Sequence, residues 1–473
     1  MTSTTLDRHF LETFWAATGA DVQLAQGVRF VGAGDLPSAF AVTSFAAGAM
    51  GAAGLAMVSL LQTLTDAPAH DLNVAVDRRL ASIWFGTTIR PLGWTTPALN
   101  DGVIGDYETS DGWIRLHTNA PHHLKAALAT LGEAQDSTRV AEAVRRWRAD
   151  DLEAAIVENK GCAATMRSWS AWQEHPQGIA VISEPLIHRE QGAPTGNGAW
   201  KVDASRPLAG LRVLDMTRVL AGPACTRMLA GAGAEVLRID PPWWDEPGLA
   251  PEMTLGKRCA RLDLRDPGDR GRWMDLLATA DILVHGYRSD ALEAMGLGAS
   301  QRQHLRPGLI DVSLDAYGHT GPWKHRRGFD SLVQMSMGIA EAGKRAAGAH
   351  RPTPLPVQAL DHATGYLLAT AALRGVQDRV RFGHGCIMRV SLARTGVELM
   401  RTLGHPAYEA QPLDPVDARD FEPDRETTFW GPALRARWPL QPQGMNAHWS
   451  VPAGPLGQSQ AVWTKHHDRV NIP

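Results

Sequence analysis

Residues 211–240 read LRVLDMTRVLAGPACTRMLAGAGAEVLRID. LRVLD is a short apolar run with the length of a buried strand, and AEVLRID is a second. The turn MTRVLAG lies between them, and Pro223 suits the first position of a helix because its missing N–H is unpaired there anyway. Three more strand candidates follow, CARLDL at 259–264, DILVHGY at 281–287 and LIDVSLDAY at 309–317. Helices at 267–280 and 289–296, opened by Pro267 and Ser289, separate them. Strands alternating with helices require right-handed crossovers and a parallel sheet. The predicted fold class is α/β, a doubly wound, Rossmann-like parallel sheet joined to a smaller α+β domain.

Upstream the pattern changes. DYETSDGWIRLHT, residues 106–118, has two alternating runs around Ser-Asp-Gly and predicts a hairpin. Amphipathic helices are expected at 122–131 and 137–158, and a first helix carries Asp7, Arg8 and Glu12. The Ala- and Gly-rich run 40–61 is long enough for a membrane span but reads as a buried helix. HREQGAPTGNGAWKVDASRPL, residues 188–208, is polar and rich in Gly and Pro, and reads as a linker. A faint repeat aligns residues 41–61 with 359–376 when Gly48 is set on Gly365, and each segment is followed by a charged, strand-like run. Ser44 then falls opposite Asp361.

Composition narrows the classes of function. The chain of 473 residues has a formal net charge of -3, which offers nothing to nucleic acid or an anionic membrane surface. Cys162, Cys225, Cys259 and Cys386 form no C-x-x-C pair, which suits a reducing cytosol. No basic start leads into an apolar run, so no signal peptide is expected. No group of His, Cys and carboxylates has metal-ligand spacing.

The segments 207–240, 256–298 and 305–322, with the isolated Asp361 in PLPVQALDHATGYLLATAAL, resemble in order the class III CoA-transferases. That family includes formyl-CoA transferase, carnitine CoA-transferase and α-methylacyl-CoA racemase. The resemblance implies that Asp361 is the nucleophile, forming acyl-anhydride and CoA-thioester intermediates. It implies that Val219, Leu220 and Ala221 lie along the adenosine and pantetheine of coenzyme A. Lys257 and Arg258 are expected at its phosphates, Tyr287, Ala291 and Met295 beside its nucleotide, and Tyr317 near the reacting end. By residue chemistry alone, Asp361 before an apolar helix also fits an N-cap, and Gly365 a close ligand approach. Lys257 and Arg258 also fit an exposed loop, and Tyr317 a core position. A dinucleotide site is disfavoured: Asp240 ends the second strand, but no G-x-G-x-x-G follows the first.

The chain departs from the family pattern. Gly286, Ala294 and Asp315 replace an Asn, an Arg and a Lys. Phe329 stands where racemases place an acid–base histidine, which leaves His325 and His362 as substitutes; the remaining histidines, His122 and His123 among them, read as surface residues. The Tyr107–Trp113 hairpin and HPQGIAVISEPLI from His175 resemble the family's small domain but precede the nucleotide-fold domain. The expected organisation is therefore a fusion: 1–187, a degenerate core segment plus the small domain; 188–208, the linker; 209–405, the CoA-binding domain with the catalytic Asp; 406–473, a C-terminal extension resembling nothing. The expected function is a cytoplasmic, homodimeric CoA-transferase acting on an acyl-CoA and a carboxylic acid, with no cofactor beyond coenzyme A. An isomerase of the racemase branch and a non-catalytic CoA-binding subunit are the alternatives.

Overall fold

The computed structural model describes residues 3–65, 73–97, 102–195, 203–405 and 411–464. Its main sheet has seven strands, in the order Lys257–Arg261, Glu235–Asp240, Arg212–Met216, Ile282–His285, Ile310–Asp315, His384–Ser391, His188–Pro194. The first six are mutually parallel and the seventh runs antiparallel. The expected α/β class holds. Chain order reverses between Arg212–Met216 and Ile282–His285, and such a sheet binds ligands in the crevice beyond those strand ends.

Two long helices form the centre of the core. Val42–Thr65 is buried along nearly its whole length, and so is Ala359–Phe382. The former is the one helix among the described residues apolar and long enough to cross a membrane, and 94% of its most apolar window lies inside the fold. Both helices have 24 residues, and the Gly48–Gly365 alignment brings their ends into register. Each glycine marks a close crossing. A Cβ on Gly48 would lie 2.5 Å from Phe10 Cβ in the helix Ser3–Ala16, and one on Gly365 would lie 2.4 Å from the Ala221 carbonyl in the helix Ala221–Gly231. Gly365 thus serves helix packing rather than ligand approach.

Each long helix leads to a strand and a capped short helix. In front these are Val74–Asp77 and Arg78–Trp84, with Asp77 accepting from Leu80 N; behind, His384–Ser391 and Leu392–Met400, with Ser391 accepting from Arg394 N. Each strand has one parallel neighbour and one antiparallel neighbour. Val74–Asp77 lies between Val28–Val31 and Leu440–Pro442; His384–Ser391 lies between Ile310–Asp315 and His188–Pro194. The antiparallel strand comes in each case from the chain beyond the other copy. The two halves are cross-laced.

Several expectations change. Residues 188–194, expected within a linker, are the edge strand just described; 196–202 lie outside the described residues. Pro223 is the third residue of its helix, not the first. The helix expected at 137–158 divides into Ser137–Val144 and Ala149–Glu158, because the hairpin loop intrudes: Ser110 N donates to the Trp147 carbonyl and Asp111 accepts from Ala149 N, both at 2.9 Å. The hairpin itself forms from Gly105–Glu108 and Trp113–Leu116, with Ala163–Thr165 as a third strand. The tail is not an appendage. Glu426–Thr428 and Gly431–Arg435 form a sheet with Ile89–Pro91, and Trp438 and Trp449 pack on Trp84 at 4.5 and 5.7 Å.

Candidate active site

Asp361 is the third residue of its long helix, one turn inside the N-terminus; Gln358 holds the N-cap position and makes no side-chain cap. The capping comes from Asp330, at the start of the helix Asp330–Ser336, whose carboxylate accepts from the backbone N–H of Asp361 at 2.9 Å and from that of Leu360. Asp361 is therefore not the N-cap that its position before an apolar helix suggested. Because Asp330 satisfies the helix end, the Asp361 carboxyl makes no hydrogen bond with the described residues and faces open space. Burial, and then the neighbouring Asp330, push its pKa well above the usual carboxylate range. The helix terminus works in the opposite sense, since its unpaired N–H groups favour negative charge.

Opposite stands the loop after Arg212–Met216. Val219 has φ +64, a left-handed conformation rare for a β-branched residue. Its N–H donates to Glu246 at 2.7 Å, and Glu246 also accepts from Trp244 Nε1 at 2.8 Å and Arg238 Nη2 at 2.7 Å. Strain that the surroundings hold in place in this way collects at ligand loops.

Two chambers meet at Asp361. The larger, about 370 Å³, opens between the Val219 loop, the Gly286–Ala291 turn and Phe329, and carries Arg218, Arg288, Arg326 and Arg327. Arg326 is committed to Glu153 at 2.9 Å and to the Trp323 ring. Arg218 stacks between Trp244 and Tyr287. Burial and the like charge of Arg288 both lower the pKa of Arg327, so these cations converge on one space. The smaller chamber, about 270 Å³, runs between Leu220, Trp244, Leu249 and Phe329 and reaches the small domain at His117 and Asn119.

Of the residues singled out in the sequence, Ala221, Tyr287 and Ala291 line the larger chamber, Leu220 the smaller, and Val219 and Asp361 both. The others lie elsewhere. Lys257 is fully buried, 3.1 Å from Asp215 and 2.9 Å from the Pro223 carbonyl, where it ties the helix start to the sheet. Arg258 binds the carbonyls of Val462 and Gln460. Met295 packs on the far hydrophobic cluster, and Tyr317 is a core residue whose hydroxyl lies 3.1 Å from Ser336 Oγ. His362 stacks on Phe85, and half-exposed His325 stands 3.9 Å from Asp290; neither faces Asp361.

Sequence reasoning missed the histidines that do line the site. His117 lies face to face with Phe329, 3.8 Å between ring centres, and burial and Arg115 push its pKa down to about 3. His123, expected at the surface, is buried edge-on to Phe329 with Cys162 Sγ 3.5 Å from Nε2; His122 is exposed, as expected, and lines both chambers. Only the docking of the small domain on residues 329–336 places them here, and no local pattern shows it. The Trp243–Trp244 pair, which lines both chambers, did leave a signal: two adjacent tryptophans in a Pro-rich loop, one of them 57% exposed.

The model of CoA-transferase family III matches residues 208–421, a span holding Asp361, Asp330 and the Val219 loop. This part of the chain is similar to the CoA-transferases of family III. Among its relatives is an acyl-CoA transferase of Gibberella moniliformis, 29% identical over 302 residues, 59% of this chain and 53% of the relative. The mouse succinyl-CoA:glutarate CoA-transferase is 31% identical over 227 residues, 44% of this chain and 51% of the relative. A crystal structure of Rv3272 from Mycobacterium tuberculosis aligns at 30% identity over 42% of this chain and 57% of that one, with a TM-score of 0.38. The chain thus spans about half the length of the curated relatives it matches. The family III model covers the Asp361 copy and leaves the Ser44 copy unmatched.

Proposed function

We propose that the protein moves coenzyme A from an acyl-CoA to a free carboxylic acid through covalent intermediates on Asp361. The observation that carries the reading is a carboxyl group relieved of any capping duty, placed where an arginine-lined chamber meets one lined by no Lys or Arg among the described residues. Arg218, Arg288 and Arg327 suit the phosphates of coenzyme A, and the pantetheine then leads its thioester to Asp361. The carboxylate attacks the thioester carbonyl and expels CoA thiolate, leaving an acyl-aspartyl anhydride. The thiolate attacks the aspartyl carbonyl, releasing the first acid and forming an aspartyl-CoA thioester. The acceptor carboxylate repeats the two steps in reverse. Covalent catalysis divides one difficult exchange into easier ones, and close placement of the two reactants supplies much of the rate.

Mass analysis after incubation with an acyl-CoA tests this reading. An adduct is expected on the peptide containing Asp361, and its absence together with unchanged acyl-CoA would sink the proposal. No cofactor beyond coenzyme A enters the scheme. We place the protein in the cytosol, in keeping with four buried free thiols. The family resemblance supports a homodimer; it would have to use a surface other than the back long helix, which the front copy already covers. Sedimentation at twice 51.2 kDa checks it.

One observation favours a second reading, the isomerase branch. His117 stacks on Phe329 beside Asp361, which returns a histidine to the neighbourhood of the position that Phe329 vacates. Proton exchange next to a thioester needs two acid–base groups on opposite faces of the carbon. Incubation of a 2-methylacyl-CoA in deuterated water separates the readings: no enzyme-dependent α-deuterium is expected, and incorporation abolished by His117→Ala would establish the isomerase.

A further inference from the structure

The two chambers differ in charge as sharply as in shape. The larger holds four arginines, whereas no Lys or Arg lines the smaller among the described residues. Its floor is apolar: Leu220, Trp244, Leu249 and Phe329. Its other side chains are neutral or acidic, Asp330 and Asp361 among the acids. Glu246 is taken by Arg238, Trp244 and the Val219 N–H, and His117 holds Ser331 Oγ 3.4 Å from Nδ1. Asp245 adds negative charge at the rim, with its side chain 65% exposed. Burial disfavours the charged form of both histidines, pushing His117 down to about 3 with Arg115 assisting, and lowering His122 with the help of Arg327 and Arg218.

A carboxylate carried into such a space loses its water and finds no counter-charge, and that loss is not recovered by apolar contact. A methyl or methylene end gains by the same transfer. Resting on the CoA-transfer reading for the identity of the bound thioester, we propose that the smaller chamber is the acyl site and selects uncharged acyl groups, so that monocarboxylic acids are substrates and dicarboxylic acids are rejected. The exchange is R–CO–S–CoA + R′–COO⁻ → R–COO⁻ + R′–CO–S–CoA. One thioester breaks and one forms, with no electron or proton drawn from a third reactant. The volume of about 270 Å³, the share of about nine liquid waters, suits a short to medium acyl chain.

Matched four-carbon pairs test the proposal. On wild-type protein, butyrate and succinate are compared as acceptors of coenzyme A. On the Asp361→Asn protein, which cannot turn over, butyryl-CoA and succinyl-CoA are compared for binding by titration calorimetry. A preference for the monoacid of at least ~30-fold in kcat/KM, within the range by which pockets discriminate, is expected, with tighter binding of butyryl-CoA. Equal or reversed preference in both measurements overturns the inference and leaves CoA transfer standing. Tighter binding of butyryl-CoA without transfer to any acid upholds the chamber's selectivity and removes the transferase reading. Leu249→Arg places a cation in the chamber and should bring succinyl-CoA binding up toward that of butyryl-CoA, with binding of free coenzyme A as the control for folding. An unchanged ratio in a variant that still binds coenzyme A counts against the chamber as the acyl site.

Discussion

The front and back long helices have the same length, the same packing glycine and the same strand and capped short helix behind them, yet their N-termini are built for opposite ends. In front, Ser44 takes the place of Asp361 and hydrogen-bonds Asp7; Arg78 lies 2.8 Å from Asp7 and 2.9 Å from Asp35, all of them buried. Every polar group there has been given another to hold. Behind, Asp330 takes the helix N–H groups and leaves the Asp361 carboxyl unpaired beside two chambers. The contrast separates what the repeat needs in order to fold from what a site needs in order to react. A buried ionic cluster closes the first copy; an unsatisfied, desolvated carboxyl opens the second.

The largest effect should come from removing the feature that distinguishes the copies. Asp361→Asn keeps the shape and loses the nucleophile, so transfer should fall at least ~10³-fold while coenzyme A still binds. A near-normal rate from a clean preparation would break the comparison. The front copy should respond in stability instead. Arg78→Ala strands two buried acids and should cost about 3–5 kcal/mol in denaturant unfolding, with transfer per folded molecule retained. Loss of activity in the folded fraction would mean that the front cluster supports the chemistry.

The glycines sharpen the comparison at a smaller scale. Gly48→Ala and Gly365→Ala each force a Cβ into a neighbouring helix and should cost about 1–3 kcal/mol. Only Gly365→Ala should also slow transfer, because the carbonyl it displaces belongs to Ala221, next to the Val219 loop. The next effect is a shift in pH dependence. Since the Asp361 pKa is raised and the attacking form is the carboxylate, kcat/KM should climb with pH along a limb that lies above the ordinary carboxylate range. Asp330→Asn removes the neighbouring charge and should move that limb to lower pH; a limb that stays in place would assign it to another group. The smallest effect belongs to Ser44→Ala, which should leave transfer within about a factor of three, as a small buried change remote from the site. A collapse of rate would reveal chemistry in the front half.

Most of the back copy was legible in the sequence, and for local reasons. Strand runs such as LRVLD and AEVLRID carry their burial in their composition, and the turn residues of the Val219 loop sit beside the strand that aims them. What could not be read depends on chain brought from far away. The strand His188–Pro194 is polar because it is an edge, so it resembled a linker. Lys257 looked like a phosphate ligand beside its neighbour Arg258, but Asp215, on a strand two places across the sheet, turns it inward. His117 and His123 reach Asp361 only because the small domain docks on residues 329–336. Asp330 carried no mark of its role, since capping another helix leaves no spacing to detect.

The cross-lacing of the halves also sets a timetable for synthesis. The strand Val74–Asp77 leaves the ribosome early, but its antiparallel partner Leu440–Pro442 lies roughly 360 residues later, a wait of about 20–70 s at ~5–20 residues per second. Through that interval the first sheet keeps a bare edge, the kind of surface that pairs with strangers. The front copy is thus made first, yet its sheet is enclosed only after the whole back copy has followed it.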